Sequence, residues 1–146
     1  VEISNPKMQT FTCLRNWLLP SLIEFLSHNT HVEYPQKVFE AGYVTIFDEE
    51  QESRTRDIQK LACAIIHANA NFTEAKAILD ALFLNLGLKY RMEEGKHQSF
   101  IDGRIGKILV KNKEVGIIGE MHPKILEMWK LENPVSAFEI DLDKIC

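Results

Sequence analysis

The chain has 146 residues, of which 45% are hydrophobic and 26% are charged, and this balance is typical of one soluble globular domain with its own core. Its formal net charge of −4 argues against a dedicated nucleic-acid-binding domain, although a small basic patch would still allow local RNA contact. No apolar run approaches the roughly 20 residues that span a bilayer, and no signal peptide is visible, so we expect no membrane partner.

The cysteines and the first residue add two expectations. Cys13, Cys63 and Cys146 are odd in number and far apart, which predicts reduced structural thiols in a reducing compartment such as the cytoplasm. The sequence starts with Val1 inside a predicted strand and lacks an initiator Met. We therefore expect a single domain over residues 1–146 that is a fragment of a longer polypeptide.

The chain begins with a predicted strand and a predicted helix. The strand is VEIS, closed by Asn-Pro. In the following CLRNWLLPSLIEFLSHN, apolar residues recur at helical spacing, namely Leu14, Leu18, Leu22, Phe25 and Leu26. Pro20 interrupts this pattern, so the helix either kinks at that residue or begins there.

Two longer strands follow, separated by a charged segment. The segment Lys37–Asp48 carries apolar residues on both alternating faces, which favours a central strand over an edge strand. The next residues, EEQESRTRD, are poor in apolar side chains and predict a solvated loop. Leu61–Ala68 is a continuous apolar run and predicts a second strand.

The clearest helix starts after Asn71, which can cap it, with Glu74 three residues later as in a capping box. One apolar stripe follows and Gly87 is a natural stop; the stripe consists of Ala75, Ile78, Leu79, Leu82, Phe83 and Leu86. The sequence KYRME then predicts a strand, and EGKHQSFIDGR predicts a loop.

The last third predicts a hairpin, a short helix and a final strand. IGKILV and VGIIGEM flank the polar turn KNKE, and HPKILEMWKL predicts a short helix that starts at Pro123. SAFEIDLDKI alternates apolar and acidic residues, which predicts a strand with one buried face. The order β-α-β-β-α-β-β-β-α-β with short links predicts an α+β fold, in which helices flank a mostly antiparallel sheet.

Five blocks of this sequence, taken together in order and spacing, resemble one family: ISNP, LRNWLLPSLIEFLSHN, VFEAGYV, VGIIGEMHPKIL and SAFEIDLDKI. They are similar to the catalytic-like module near the C-terminus of the phenylalanine–tRNA ligase beta chain, of archaeal or eukaryotic cytosolic type. The resemblance runs from Val1 to about Ile145. It implies a class II aminoacyl-tRNA synthetase-like fold and a heterotetramer of two alpha and two beta chains.

The resemblance also implies a division of labour within the tetramer. The alpha chain carries the active site that charges tRNA(Phe) with phenylalanine using ATP and Mg²⁺, and the beta module is a degenerate copy. Class II chemistry needs arginines aimed at the ATP phosphates, on the motif 2 strand and on the motif 3 helix. No arginine lies in the few residues after Gly42, and FEIDLDKIC offers no Gly-rich strand or Arg-bearing helix. We therefore expect no catalytic, cofactor-binding or metal-binding residues, and no cofactor, in this domain.

Other catalytic signals are weak. The sequence has no Walker-type loop and no GxSxG elbow. His28 and His31 lack a third metal ligand, and His67 in an apolar run is more often a hydrogen-bonded core residue than a base. In the block GIIGEMHPKIL, Glu120 and His122 sit at a strand-to-helix corner without a phosphate or metal partner, while its glycines predict close approach of neighbouring elements.

Two groups of residues remain as candidates for macromolecular contact. Arg15, Trp17 and Trp129 are candidate interface residues, with a local ion pair for the arginine and core packing for the tryptophans as the alternatives. Arg54, Arg56 and Lys60 are candidate RNA contacts, although such a run beside Glu49, Glu50 and Glu52 is usually a solvated loop.

Three functions follow from these observations. The first is a structural module that supports the alpha chain and predicts an exposed apolar patch where the partner sits. The second is a stand-alone nucleotide- or amino-acid-binding protein, which needs a basic cleft near Gly42 or near Gly103 and Arg104. The third is an RNA-binding module.

Overall fold

The computed structural model describes residues 1–2 and 13–145, which form three helices and six named strands. In chain order these are α1 (Leu19–His28), β1 (Gln36–Phe47), β2 (Thr55–Ile66), α2 (Phe72–Asn85), β3 (Arg91–Glu94), β4 (Phe100–Val110), β5 (Lys113–Met121), α3 (Pro123–Met128) and β6 (Val135–Asp141). The predicted α+β class and the element order after the first strand are confirmed. The predicted strand VEIS lies mostly outside the described residues, except that Glu2 forms a bridge with Cys13, and Cys146 also lies outside them.

The six strands form one antiparallel sheet in the order β1-β2-β6-β5-β4-β3. One face, here called the α1 face, packs against α1 and α3 through a core that includes Leu22, Leu26, Leu126 and Ala137. The opposite face, the α2 face, packs against α2 through a second core around Phe83 and Phe138. Alternation along each strand decides which face a side chain joins, because successive side chains point to opposite sides.

Helix α1 starts at Leu19 with Pro20 in its first turn, so the proline begins the helix and does not kink it. Its buried stripe is Leu19, Leu22, Ile23 and Leu26. Two residues predicted for this stripe are exposed instead: Leu14 precedes the helix, and Phe25 points away from the core.

Helix α2 confirms the predicted cap and stop. The Asn71 side chain accepts the Glu74 N–H at 3.0 Å, whereas the Glu74 carboxylate turns to His67 and does not return to the cap. Gly87 has φ +66°, a left-handed conformation that ends helices readily. Ala75, Leu79 and Phe83 form the buried stripe.

Several strand predictions were wrong, because they depend on which strands lie next to each other in the sheet. The segment predicted as a central strand is the edge strand β1, and the strand predicted to have one buried face is β6, buried on both faces. Strands β2 and β4 start earlier than predicted, inside the segments taken as loops, because pairing with β1 and β5 supplies backbone partners to polar residues.

The glycines of GIIGEM permit close strand contact, as predicted. A Cβ at Gly116 would lie 2.2 Å from the Glu139 carbonyl oxygen, and a Cβ at Gly119 would lie 2.8 Å from the Arg104 carbonyl oxygen. Only glycine lets β5 approach its neighbours so closely at these positions. Within the described ranges, no helix is both long enough and apolar enough to cross a membrane.

Candidate functional site

An aromatic stripe on β1 is the most conspicuous exposed apolar feature of the described structure. Phe39, Tyr43 and Phe47 are four residues apart, so all three side chains lie on the α2 face of the sheet. Their exposures are 76%, 64% and 76%. Helix α2 packs against β2, β5 and β6 and leaves this edge uncovered. We call these three residues the aromatic stripe.

An apolar groove of about 340 Å³ lies between α2 and Phe39, the first residue of the aromatic stripe. Its lining residues are almost all apolar and are contributed by β1, β2, α2 and β6: Lys37, Val38, Phe39, Leu61, Cys63, Ile78, Leu82 and Phe138. Phe39, Cys63 and Phe138 form one cross-strand row, in which exposure falls from 76% to 7% to 1%. Burial raises the pKa of the Cys63 thiol to about 11.

A charged cavity of about 620 Å³ lies on the opposite side of the sheet, on the α1 face. Arg56 and Lys60 reach it from β2, and Glu139 and Asp141 reach it from the neighbouring β6. Glu139 is only 3% exposed, and its Oε2 accepts the backbone N–H groups of Leu18 and Leu19 at 2.9 Å each. This carboxylate therefore anchors the start of α1 to the centre of the sheet.

The three candidate interface residues have different surroundings in the structure. Arg15 forms an ion pair with Glu40 at 2.7 Å and donates from Nε to the Tyr43 carbonyl oxygen at 3.2 Å, so it makes the local ion pair considered as its alternative. Trp17 and Trp129 are half-buried and pack against the α1-face core. The Trp17 ring also contacts His97, with ring centroids 5.4 Å apart. Their role at an interface stays a prediction.

The candidate RNA contacts are likewise divided. Arg54 is exposed in the turn between β1 and β2, with φ +56°. Arg56 and Lys60 lie on β2, and not in the loop predicted for Arg56, with their side chains in the charged cavity. Lys60 Nζ lies 3.2 Å from Glu139 Oε1, and Arg56 Nε lies 3.5 Å from Asp48 Oδ2. Carboxylates therefore offset both charges, and RNA contact stays a prediction.

A basic cleft was considered near Gly42 and near Gly103 and Arg104. The arginine at each of these two positions is paired with a carboxylate. Above Gly42, the Arg15 side chain fills the space, and its Nη2 would lie 2.7 Å from a Cβ added there. Arg104 is paired through Nη1 with Glu120 at 2.8 Å. The cavity of about 460 Å³ beside Gly103 holds Lys96 and Lys107, but Glu94 and Asp102 line it as well. Cations that share a site with carboxylates have little charge left for a phosphate, which weighs against nucleotide binding at these two positions.

Glu120, His122 and His67 have structural partners. Glu120 accepts the Phe72 N–H at 3.0 Å besides pairing with Arg104, and His122 caps α3 by accepting the Lys124 N–H at 3.1 Å. His67 follows the last residue of β2, outside the strand predicted for it, and lies 2.5 Å from the Glu74 carboxylate. His28 and His31 are exposed at the end of α1. Within residues 1–2 and 13–145, no group of three His, Cys, Asp or Glu side chains is arranged to hold a metal ion.

Sequence reasoning missed the two most distinctive features, although each left a signal. Phe39, Tyr43 and Phe47 recur with an even period of four, which places aromatic rings on a single face of a strand. Glu139 sits between Phe138 and Ile140, and an acid inside an apolar strand is a candidate for burial with a partner. From the sequence, the aromatic residues of β1 were interpreted as part of a buried central strand, and the acidic residues of β6 as a solvated face. The structure shows the opposite in both cases.

Comparisons with known proteins agree with this fold. The sequence model described as the phenylalanyl tRNA synthetase beta chain CLM domain matches residues 1–142. The phenylalanine–tRNA ligase beta subunit of Pyrococcus abyssi is 57% identical over 97% of this chain and 26% of the relative. That of Thermofilum pendens is 38% identical over 99% of this chain and 26% of the relative. The chain thus spans about a quarter of the length of these relatives.

A solved structure shares this fold. The pyrrolysyl tRNA synthetase PylSc of Desulfitobacterium hafniense superposes with a TM-score of 0.71 over 90% of this chain and 48% of the other, at 14% sequence identity. At that identity the likeness concerns the fold alone. The sequence match over residues 1–142 carries the assignment further, and the chain belongs to the phenylalanyl-tRNA synthetase beta chain family, in its CLM domain.

Proposed function

We propose that this chain is a non-catalytic, class II synthetase-like module of a phenylalanine–tRNA ligase beta subunit, and that it supports the alpha chain in the assembled enzyme. The observation that carries the proposal is the aromatic stripe, an exposed apolar surface on a member of this family. In this proposal, tRNA(Phe), ATP and Mg²⁺ are ligands of the cytoplasmic heterotetramer and not of this domain.

The aromatic stripe has the properties of a protein interface. Three exposed aromatic side chains on one face of a single strand are uncommon on monomeric surfaces, and aromatic residues are enriched at interface hot spots. The apolar groove beside the stripe adds a concave surface into which a partner's side chain could pack. We propose that the alpha chain covers this combined surface.

The pairing of cations supports the non-catalytic part of the proposal. Adenylate formation requires positive charge that is free to stabilise the developing charge on phosphate. Arg15, Arg104 and Lys60 are each within 3.2 Å of a carboxylate oxygen, so their charge is already offset. A module with these pairs is expected to position its partner while the partner performs the chemistry.

Assembly is tested by co-expressing the chain with an untagged alpha chain and measuring how much alpha chain co-purifies. The double substitution Phe39→Ser with Phe47→Ser should reduce co-purification at least tenfold, because it removes two exposed aromatic anchors. The matched control is Leu84→Ser with Met128→Ser, which removes side chains that are 81% and 75% exposed elsewhere on the surface. Equal co-purification of both double variants and the native chain would rule out the stripe as the alpha-chain interface.

Catalysis is tested separately by pyrophosphate exchange. The 146-residue chain, given ATP, Mg²⁺ and phenylalanine, should show no exchange above the buffer blank. Exchange by this chain alone would overturn the non-catalytic assignment, whatever the result of the assembly experiment.

A further inference from the structure

We propose that a cavity at the start of β4 and α3 binds the C-terminal carboxylate of a partner polypeptide whose last residue is apolar. The cavity has a volume of about 640 Å³, and we call it the histidine cavity; its walls include Lys96, His97, Phe100, Ile101, Asp102 and His122. Three strands separate β4 from β1 in the sheet, so the site is distinct from the aromatic stripe and the inference goes beyond the proposed function.

Backbone contacts hold the two histidines of this cavity in place, although they lie about 25 residues apart in the chain. The His122 N–H donates to the Ser99 carbonyl oxygen at 2.8 Å, and the Ser99 N–H donates to His97 Nδ1 at 3.1 Å. The adjoining residues, Phe100 and Met121, are cross-strand partners on β4 and β5. Antiparallel pairing therefore brings the end of β5 to the start of β4, and both imidazoles line one cavity.

Hydrogen bonds to the backbone determine which ring nitrogen of each histidine carries the proton. His97 Nδ1 accepts the Ser99 N–H and His122 Nδ1 accepts the Lys124 N–H, both at 3.1 Å. An Nδ1 that accepts a hydrogen bond has its lone pair free, so the proton of each neutral ring is on Nε2. In this tautomer Nε2 is a hydrogen-bond donor and not a metal ligand. The two rings therefore supply two N–H donors, one for each oxygen of a carboxylate.

The charged groups of the histidine cavity favour a ligand with one negative charge and one N–H. Lys96 is exposed and forms no ion pair with any described residue, so its ammonium is available to a carboxylate. Asp102 is likewise exposed and without an ion pair in the described ranges, so its carboxylate is available to a donor. One cation and one anion together do not favour a phosphate dianion. The last residue of a polypeptide is complementary to this arrangement, because its α carbon carries both a carboxylate and an amide N–H.

The remaining wall of the histidine cavity is suited to an apolar side chain. Phe100 is 1% exposed, and its ring lies edge-on to the His97 ring with centroids 5.8 Å apart. Ile101 and Pro123 complete this wall. A volume of about 640 Å³ falls in the range of ligand sites that combine apolar walls with a few oriented polar groups. A free amino acid is less suited to the cavity than a polypeptide end, because its ammonium group would bring positive charge close to Lys96.

The inference is tested by titrating the ¹⁵N-labelled 146-residue chain with N-acetyl-L-leucine, a minimal mimic of an apolar polypeptide C-terminus, and following amide resonances by NMR. We expect saturable shifts of the Ser99 and Lys124 amides, which donate to the two imidazoles. Three comparison ligands each change one group: N-acetyl-L-leucinamide lacks the negative charge, 4-methylpentanoate lacks the amide N–H, and L-leucine carries an ammonium group. Each should bind at least about tenfold more weakly, because each loses a charge-assisted contact or adds a repulsive charge.

Two variants test the donors of the cavity. His122→Asn keeps a side-chain acceptor for the Lys124 N–H but removes the Nε2–H, and it should weaken binding of N-acetyl-L-leucine about tenfold. Lys96→Gln should weaken binding about threefold, because it removes an exposed charge. The matched control is Lys113→Gln, which removes an exposed lysine at the first residue of β5, outside the cavity, and should leave binding unchanged.

Lys96 has no ion pair among the described residues, so Lys96→Gln still tests the inference if His122→Asn does not fold. The inference is overturned if N-acetyl-L-leucine causes no saturable shift, or if any of the three comparison ligands binds as tightly as N-acetyl-L-leucine. It is also overturned if both variants bind N-acetyl-L-leucine with native affinity.

Discussion

Strands β6 and β1 lie on either side of β2, yet they differ in almost every physical respect. All seven residues of β6 are buried, including the acids Glu139 and Asp141, whereas β1 exposes three aromatic rings. From the sequence alone, β1 was predicted to be central and β6 to be half-exposed. The polarity of the side chains on a strand indicates which contacts that strand needs. The elements that lie beside the strand determine whether this domain itself supplies those contacts.

The largest expected effect is a difference in the free energy of unfolding between substitutions of two phenylalanines in one cross-strand row. Phe138 on β6 is 1% exposed and Phe39 on β1 is 76% exposed. Phe138→Ala should lower the free energy of unfolding by about 4 kcal/mol, because it leaves a cavity in the α2-face core. Phe39→Ala should change it by less than about 0.5 kcal/mol. Urea denaturation measures the free energy of unfolding of both variants. A similar loss of stability in the two variants would mean that Phe39 on β1 is buried in solution.

Glycines on the two sides of β2 give the next contrast. An alanine Cβ at Gly116 would lie 2.2 Å from a backbone carbonyl oxygen, while at Gly42 the nearest atom is the flexible end of Arg15 at 2.7 Å. Gly116→Ala should therefore cost about 3 kcal/mol, since β5 must move away from β6, and Gly42→Ala should cost less than about 1 kcal/mol. Thermal unfolding of both variants tests this, and equal midpoints would contradict the close approach of β5 and β6.

A smaller contrast is expected between two glutamates. Glu139→Gln removes the buried charge that holds two N–H groups of α1 and faces Lys60, and should cost about 2 kcal/mol. Glu40→Gln removes a half-exposed partner of Arg15 and should cost less than about 0.5 kcal/mol, because solvent screens that pair. If chemical denaturation gives equal losses for the two variants, Glu139 does not anchor α1.

Local signals predicted much of the fold. The cap at Asn71, the stop at Gly87 and the start of α3 at Pro123 are confirmed because each depends on backbone chemistry within a few residues. The segment order and the antiparallel sheet also followed from short links between apolar runs. The order of strands in the sheet could not be predicted, because the contact of β6 with both β2 and β5 joins residues far apart in the chain.

The candidate site shows the same limit. Arg54, Arg56 and Lys60 were recognised as a basic cluster. Nothing near them in the sequence indicates Glu139, which β6 brings to Lys60 from about 80 residues away. Exposure of the aromatic stripe depends on how far α2 extends across the sheet, which is also a long-range property. Sequence patterns therefore identified the chemical groups, and tertiary structure determined which of them meet.

The smallest expected effect concerns Cys63, which lies between Phe39 and Phe138 on the floor of the apolar groove. Burial raises the pKa of this thiol from 9.0 to about 11. Between these two values the unfolded chain has lost the thiol proton while the folded chain keeps it. The free energy of unfolding should therefore fall as pH rises, by about 1 kcal/mol between pH 8 and pH 10.

The substitution Cys63→Ala separates this contribution from the tyrosines and lysines that titrate in the same range. Urea unfolding of both proteins at pH 8 and pH 10 should show a pH-dependent loss in the native chain that exceeds the loss in the variant by about 1 kcal/mol. Equal losses in the two proteins would mean that water reaches the thiol. In that case water would reach the groove floor at Cys63 on β2, and the part of the sheet that excludes water would end at Phe138 on the next strand, β6.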